Sequence, residues 1–131
     1  MAMPIEIATG LVEGVIARAA ADPAREVCGL LFGGAGRIEA ALATANVAAD
    51  PATTFEIDPA ALFAAHRAAR AGGPAVIGCY HSHPSGRAVP SARDVAGAEP
   101  GQYWLIVAGR DARLYHAGPD GAFLSCPVSK P

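Results

Sequence analysis

The run PAVIGCYHSHP, residues 74–84, constrains the fold of this chain more than any other feature. It begins as a short apolar strand and ends with two histidines, one residue apart, and a proline that cannot continue the strand. Successive side chains of a strand point to opposite faces, so residues two apart share a face. If the strand reaches Pro84, His81 and His83 project from the same face. Two imidazoles in this arrangement are a natural pair of zinc ligands.

The segments before this strand predict one helix and two strands. Apolar residues recur at helical spacing over residues 11–19, and we expect Thr9 to cap this helix and Pro23 to mark its end. The apolar run EVCGLLFGG, residues 26–34, predicts a buried strand. A glycine-containing turn joins it to a second strand within residues 37–48.

The remaining segments complete a mixed order of elements. Asp58 and Pro59 are typical of a helix start, and Gly72 is typical of a helix end. After the histidine strand, a short helix begins at Ser91, and three strands follow over residues 102–129. The resulting order of helices and strands indicates an α/β or α+β sandwich with a central sheet.

Length and composition limit the classes of protein that fit. The 131 residues favour a single domain over residues 1–131, and 52% hydrophobic with 17% charged residues indicates a compact globular chain. The ten basic residues are scattered and the net charge is −2, which argues against nucleic-acid binding. Three cysteines form no disulfide framework, and no apolar run approaches the roughly 20 residues of a membrane span. We therefore expect a cytoplasmic protein without a membrane partner.

A downstream carboxylate completes a set of three possible metal ligands. Asp94 lies in the first turn of the short helix, and His81, His83 and Asp94 together would leave the fourth tetrahedral position open, as in catalytic zinc sites. Water at that position becomes a nucleophile, because the metal lowers its pKa to about 7. The pattern Ser91-x-x-Asp94 also fits a capping box, and this structural interpretation is compatible with the ligand role.

Zinc chemistry of this kind needs a base that is not itself a ligand. Glu26 opens an apolar run, so it is either a strand-end residue in solvent or a placed catalytic group. Desolvation would raise the pKa of its carboxyl group, which suits a proton shuttle.

Cys79 leaves two alternatives open, because alternation places it on the same face as His81 and His83. As a fourth ligand it would close the site and make it structural. As a thiolate beside a histidine it would form a nucleophile pair. We interpret the other side chains of these types as packing, surface or ordinary loop residues: Cys28, His66, Ser82, Ser85, Arg87, His116 and Cys126.

The combined pattern resembles the signature of the JAMM (MPN+) metalloproteases. That signature is Glu, then His-Ser/Thr-His-Pro, six residues, Ser, two residues and Asp, and this chain has Glu26, His81, His83, Ser91 and Asp94 at those positions. The runs EVCGLLFG, FEIDP and YWLIV also resemble that family. The resemblance covers roughly residues 5 to 125.

The resemblance implies a cytidine-deaminase-like sandwich in which helices flank a central mixed β-sheet, with one Zn²⁺ per chain. It implies that His81, His83 and Asp94 are the metal ligands, that Glu26 is the general acid and base, and that Ser91 binds the oxyanion. The implied reaction is the hydrolysis of an amide by zinc-activated water, without a covalent intermediate.

The chain lacks the long insertions of the eukaryotic deubiquitinases and resembles the small bacterial members. Those are peptidases or isopeptidases that act on the C-terminal Gly-Gly tail of ubiquitin-like sulfur carriers, and in some the residue removed is a cysteine. We therefore expect such a carrier as partner, and a homodimer is implied as well. Two alternatives remain: a non-catalytic scaffold of the same fold, and a zinc hydrolase of small amides or nucleobases. The Cys-x-x-Cys element of deaminases is absent from this sequence.

Overall fold

The computed structural model describes residues 4–84 and 86–129. Within these residues the chain forms eight strands and three helices. In chain order they are β1 (Ile5–Ile7), α1 (Leu11–Ala21), β2 (Cys28–Gly34), β3 (Arg37–Thr44), α2 (Pro59–Arg70), β4 (Ala75–Ser82), α3 (Ala92–Gly97), β5 (Tyr103–Ala108), β6 (Asp111–Ala117), β7 (Phe123–Ser125) and β8 (Val128–Ser129).

The strands form one mixed sheet in the order β7-β6-β5-β4-β2-β3-β1-β8. Strand β4 lies near the middle, antiparallel to β2 and parallel to β5. A parallel pair needs a crossover connection, and the crossover from β4 to β5 carries α3. The register pairs Cys28 with His81, so the start of β2 and the end of β4 meet at the same edge of the sheet.

Two apolar clusters cover the two faces of this sheet. Helix α1 packs on one face through buried Val15, against Leu31, Leu105 and Val107. On the other face, Phe55 packs against buried Trp104 and its neighbours, and α2 lies over β4. Full burial of a side chain such as Leu105 or Val107 stabilises the fold by about 1.5–3 kcal/mol. The central mixed sheet with helices on its faces confirms the fold class expected from the sequence.

Three boundaries differ from the sequence-based expectation. Helix α1 begins after Gly10, which has φ 85° and forms no side-chain cap, so the prediction that Thr9 is the cap was wrong. Strand β2 begins at Cys28, and Glu26 therefore precedes the strand instead of opening it. Strand β4 ends at Ser82, before Pro84, although the His83 N–H still donates to the carbonyl of Val107 at 2.8 Å.

The ends of the described chain hold the other difference. The short strand β1 was not predicted, and the last apolar run forms two strands, β7 and β8, instead of one.

The predicted caps of the later helices are confirmed: Asp58 accepts from the backbone N–H of Ala60, and Ser91 forms the capping box with Asp94. None of the helices within residues 4–84 and 86–129 is long and apolar enough to cross a membrane.

Candidate metal centre and active site

The end of β4 brings the two histidines to one edge of the sheet. His81 is the penultimate residue of β4 and pairs with Cys28 on one side and Ile106 on the other, and its side chain is fully buried. His83 lies just beyond the strand, and its side chain is 9% exposed. The backbone pairing of β4 with β2 on one side and β5 on the other therefore holds both imidazoles in place.

The first turn of α3 supplies the carboxylate. The Ser91 hydroxyl oxygen accepts from the backbone N–H of Asp94 at 3.1 Å, and Asp94 Oδ2 accepts from the backbone N–H of Ser91 at 2.9 Å. These reciprocal bonds satisfy two otherwise unpaired donors of the helix start. They also fix the Asp94 carboxylate, which is buried, so the same local pattern serves the cap and the site.

Three side-chain atoms converge at this point. His81 Nε2 lies 2.9 Å from His83 Nε2 and 3.1 Å from Asp94 Oδ2, and His83 Nε2 lies 3.2 Å from the same oxygen. Atoms at the corners of a tetrahedral zinc site, each 2.0 to 2.1 Å from the metal, lie about 3.3 Å from one another. The observed triangle therefore has the size of one face of such a site.

The hydrogen bonds around this triangle indicate that a cation belongs there. His83 Nδ1 donates to the backbone carbonyl of Arg87 at 2.7 Å, which leaves Nε2 of the neutral ring as an acceptor. Its lone pair then faces the Asp94 carboxylate oxygen, and one proton could bridge only one of the three contacts. A divalent metal ion satisfies all three, so the residues present fit a zinc ion.

The pKa values of these groups respond to burial and to one another. Burial lowers the pKa of His81. The hydrogen bond with Asp94 raises the pKa of His83 despite the opposing effect of burial. Burial acts to raise the pKa of Asp94, but the contacts with the two histidines outweigh it and hold that pKa well below its usual range. The carboxylate is therefore ionised, as a metal ligand must be.

Glu26 stands beside this triangle. One of its carboxylate oxygens and the ring nitrogens of His81 and His83 all lie within 4.8 Å of one another. The residue is 6% exposed, and burial raises the pKa of its carboxyl group from 4.5 to about 7. A buried carboxyl that titrates near neutral pH can both accept and release a proton at little cost. The expected desolvation of Glu26 is thus present.

Two neighbours fix the backbone of Glu26. Its N–H donates to the carbonyl of Pro51 at 2.7 Å, and its carbonyl accepts from the Asn46 side-chain amide at 2.8 Å. Asn46 also donates to the carbonyl of Thr54. Through its bond to Glu26, it ties the loop after β3 to the segment before β2. Sequence reasoning missed Asn46, because its partners are distant in sequence and the residue type is common in loops.

Other positioning contacts were also absent from the sequence-based expectation. Phe55 stacks on His81 with ring centroids 4.4 Å apart, and Trp104 meets the same ring edge-on at 5.5 Å. Arg87, interpreted as an ordinary loop residue, holds the tautomer of His83 through its carbonyl. Only the resemblance of the run FEIDP, which begins with Phe55, to the JAMM family offered a signal for Phe55.

The remaining sequence candidates have structural surroundings. Cys79 packs among Trp104, Ile106 and Tyr115, and burial raises the pKa of its thiol, which disfavours both the fourth-ligand and the nucleophile alternatives. Ser82 accepts from the backbone N–H of Val27 at 2.9 Å, as expected for a residue pointing away from the histidines. The others have these positions: Cys28 and Cys126 are buried, His66 is exposed on α2, His116 stacks on Tyr103, and Ser85 lies outside the described residues.

Two of the cavities that border the triangle also reach Asp94 or Glu26. A groove of about 750 Å³ runs between β4, α2 and α3 and reaches Asp94 and Arg93. A smaller cavity of about 410 Å³ lies on the other side and is lined by Glu26, His83, Arg87 and Ser91. The site is therefore open to two different parts of a substrate.

Comparison with known proteins identifies the family. Residues 9–120 match the family described as prokaryotic homologs of the JAB domain. The chain is 39% identical over 98 residues to a desampylase from Haloferax volcanii, a match that covers 73% of this chain and 70% of that protein. It is 31% identical over 130 residues to a CysO-cysteine peptidase from Mycobacterium tuberculosis, covering 94% of this chain and 88% of that protein.

Solved structures have the same fold. Protein DSY2949 from Desulfitobacterium hafniense superposes with a TM-score of 0.79 and 25% identity, over 97% of this chain and 92% of that one. AF2198, a JAB1/MPN domain protein from Archaeoglobus fulgidus, superposes with a TM-score of 0.61 and 21% identity, over 96% and 98%. The chain belongs to the family of prokaryotic homologs of the JAB domain, and it is a hydrolase of the JAMM type.

Proposed function

We propose that the protein is a zinc-dependent peptidase or isopeptidase that hydrolyses an amide bond at the C-terminal Gly-Gly tail of a ubiquitin-like or sulfur-carrier protein. His81, His83 and Asp94 hold one Zn²⁺ per chain. The observation that carries this proposal is the convergence of two ring nitrogens and a carboxylate oxygen within 3.2 Å of one another. Beside them, burial has raised the pKa of the Glu26 carboxyl group to about 7.

Each residue has one role in the proposed reaction. A zinc ion held by His81, His83 and Asp94 would polarise the substrate carbonyl and would lower the pKa of a bound water to about 7. Glu26 takes a proton from the attacking water and delivers it to the departing amine. The Ser91 oxygen uses a lone pair in the capping box, so its hydroxyl hydrogen remains available for the carbonyl oxygen as negative charge develops there. No covalent bond forms between protein and substrate.

The groove between β4, α2 and α3 suits the acyl side of the substrate. It reaches Asp94 and has a largely apolar lining that includes Leu62, Cys79 and Trp104. An extended tail without side chains can follow such a groove along the sheet. The names of the relatives, a desampylase and a CysO-cysteine peptidase, support a protein substrate of this class.

The setting of the reaction is also part of the proposal. Cys28 and Cys79 are free thiols, which fits a reducing compartment such as the cytoplasm. The homodimer implied by the sequence resemblance stays a prediction, which the molar mass from light scattering tests. The scaffold alternative is disfavoured, because scaffolds of this fold typically lack the His and Asp residues of the signature, and this chain has His81, His83 and Asp94.

Mass spectrometry of carrier fusions tests the proposal. Ubiquitin-like carriers that end in Gly-Gly and carry a further residue or a lysine-linked peptide are incubated with the zinc-loaded protein, with and without a chelator. We expect cleavage directly after the second glycine, and we expect the chelator to abolish it. Cleavage that persists in the chelator, or activity on free nucleosides in place of the fusions, would contradict the proposal.

A further inference from the structure

His81 has a buried polar atom without a hydrogen-bond partner. Its side chain is fully buried, and its Nδ1 atom finds no acceptor among the residues that the structure describes. If Nε2 binds a metal ion, Nδ1 of the neutral ring carries the proton, so the unpaired group is an N–H donor. A metal-binding histidine usually donates this N–H to a carboxylate, a backbone carbonyl or water, which fixes the orientation of its ring. Another kind of contact therefore has to orient His81.

The neighbouring histidine is oriented in the usual way. His83 Nδ1 donates to the backbone carbonyl of Arg87 at 2.7 Å. The two histidines lie at the end of the same strand, two residues apart, and of the two only His83 has a hydrogen bond at Nδ1. His83 is therefore an internal reference for His81.

Aromatic rings hold the plane of the His81 ring. Phe55 stacks on it with ring centroids 4.4 Å apart and an angle of 19° between the planes. Trp104 stands almost perpendicular to the same ring, at 5.5 Å and 87°, and also contacts Phe55 at 5.6 Å. Three rings in mutual contact leave the imidazole little freedom to rotate. The contacts with His83 and Asp94 then determine which edge of the ring faces the metal position.

Asn46 fixes the segment that carries Phe55. Its amide donates to the carbonyl of Thr54 at 3.0 Å, and its side-chain oxygen accepts from the N–H of Glu56 at 3.1 Å, so it binds both neighbours of Phe55. The same amide donates to the carbonyl of Glu26 at 2.8 Å. A fourth bond, from the backbone N–H two residues further along the chain, uses the remaining acceptor position. With all four positions used, the side chain of Asn46 is fixed in one orientation.

We propose that Phe55 is a positioning residue for the metal ligand His81, and that Asn46 holds Phe55 in place together with the base, Glu26. The stacked ring fixes the direction of the Nε2 lone pair, a task that a hydrogen bond to Nδ1 performs in most metal-binding histidines. Asn46 joins this ring to Glu26, so one side chain sets the position of the ligand relative to the base. The inference rests on the proposed function, because it takes His81 as a ligand of the metal ion.

Proton NMR of the zinc-loaded protein tests the role of the stacked ring. A proton that is hydrogen-bonded to a carbonyl resonates downfield, so the Nδ1–H signal of His81 should lie upfield of that of His83. This comparison needs no variant. Phe55→Leu keeps an apolar side chain but removes the ring, and it should move the His81 signal and leave the His83 signal in place. Its zinc affinity, measured by competition with a chromophoric chelator, should fall roughly 10- to 100-fold, whereas Phe55→Tyr keeps the ring and should keep the affinity.

Asn46→Asp tests the link to the base. It keeps the shape and the accepting oxygen but cannot donate to the carbonyls of Thr54 and Glu26. The His81 signal should move as it does in Phe55→Leu. At saturating zinc, kcat should fall with little change in KM, because the base is displaced while the substrate groove is unchanged.

Matched controls separate positioning from stability. Phe63→Leu makes the same substitution on α2, where the ring is 60% exposed, and should leave the zinc affinity and both signals unchanged. Chemical denaturation in chelator, measured for every variant, gives the loss of stability that does not depend on zinc.

Three results would overturn the inference. The first is a wild type in which the Nδ1–H signal of His81 is as far downfield as that of His83. The second is a Phe55→Leu protein with wild-type zinc affinity, and the third is an Asn46→Asp protein in which kcat falls while the His81 signal stays in place. A wild type that binds no zinc would instead overturn the proposed function.

Discussion

Two buried polar clusters meet at neighbouring residues of β4, and they differ in whether the chain supplies its own cation. On one face, the hydroxyl of Tyr80 accepts from the Arg18 guanidinium at 2.7 Å. The same guanidinium donates to the backbone carbonyls of Cys28 and Thr44, so α1 is tied to β2 and β3. On the other face, His81 meets a second imidazole and a carboxylate.

The difference separates a structural cluster from a functional one. In the Arg18 cluster, every acceptor has a donor, and the fold gains connections that need no ligand. In the histidine cluster, one proton can bridge only one of the three contacts, and the contacts left without a proton destabilise the fold until a cation binds. The first cluster should therefore matter for stability with or without metal. The second should matter for catalysis and for metal-dependent stability.

The largest effect that we expect concerns the base of the second cluster. Glu26→Gln keeps the size of the side chain and removes the proton acceptor, so kcat should fall by roughly 10²- to 10⁴-fold. Zinc content and the circular dichroism spectrum should stay as in the wild type. Glu13→Gln, an exposed change on α1, serves as the control and should retain full turnover. A Glu26→Gln protein with wild-type turnover would refute the assigned role.

Removal of one ligand should change the response to metal. In the wild type, free zinc at 100 times its dissociation constant should raise the free energy of unfolding by about 2.7 kcal/mol. Asp94→Asn keeps the shape but lowers the charge of the site, and we expect most of this zinc-dependent increase to disappear. Thermal unfolding with zinc and with chelator measures both proteins. If zinc raised the free energy of unfolding of Asp94→Asn as much as that of the wild type, Asp94 would be excluded as a ligand.

The Arg18 cluster should behave in the opposite way. Arg18→Met keeps much of the side-chain stem but leaves two buried carbonyls and a hydroxyl without their donor, at a cost of about 2–3 kcal/mol in the free energy of unfolding. Chemical denaturation should give the same loss with zinc and with chelator. A loss that appears only with zinc would break the distinction between the two clusters.

A smaller effect follows from the raised pKa of Glu26. In metal-free protein the unfolded carboxyl titrates at 4.5 and the folded one at about 7, so this residue destabilises the fold progressively as pH rises from 4.5 to 7. Glu26→Gln should remove this pH dependence. As pH rises from 4.5 to 7, its free energy of unfolding should become higher than that of the wild type by about 1–3 kcal/mol. Denaturation at pH 4.5 and pH 8 in chelator measures the gain. If the two proteins differed in free energy of unfolding by the same amount at both pH values, the raised pKa of Glu26 would be contradicted.

Local signals in the sequence were sufficient for some parts of this account. The caps at Asp58 and Ser91 depend on residues two or three apart, and alternation along β4 placed His81 and His83 together. The resemblance in sequence then supplied Glu26, whose distance from the histidines no local pattern could give. These predictions depend on short-range geometry or on a motif.

The parts that sequence reasoning missed depend on long-range contacts. Strand β1 has only three residues, and it forms because it pairs with β3 and β8. Asn46 and Arg87 contact the site through a side-chain amide and a backbone carbonyl, which leave no periodic signal. The cap of α1 shifted to Gly10 because the backbone there has φ 85°, which glycine adopts at no steric cost.

Anomalous X-ray diffraction at the zinc absorption edge tests the central claim most directly. Crystals grown with zinc should give one strong peak per chain, about 2.0–2.2 Å from His81 Nε2, His83 Nε2 and Asp94 Oδ2. Glu26 should lie near this peak without bonding to the metal. A peak bound by Cys79, a peak elsewhere on the chain, or no peak between the two imidazoles and the carboxylate would contradict the account.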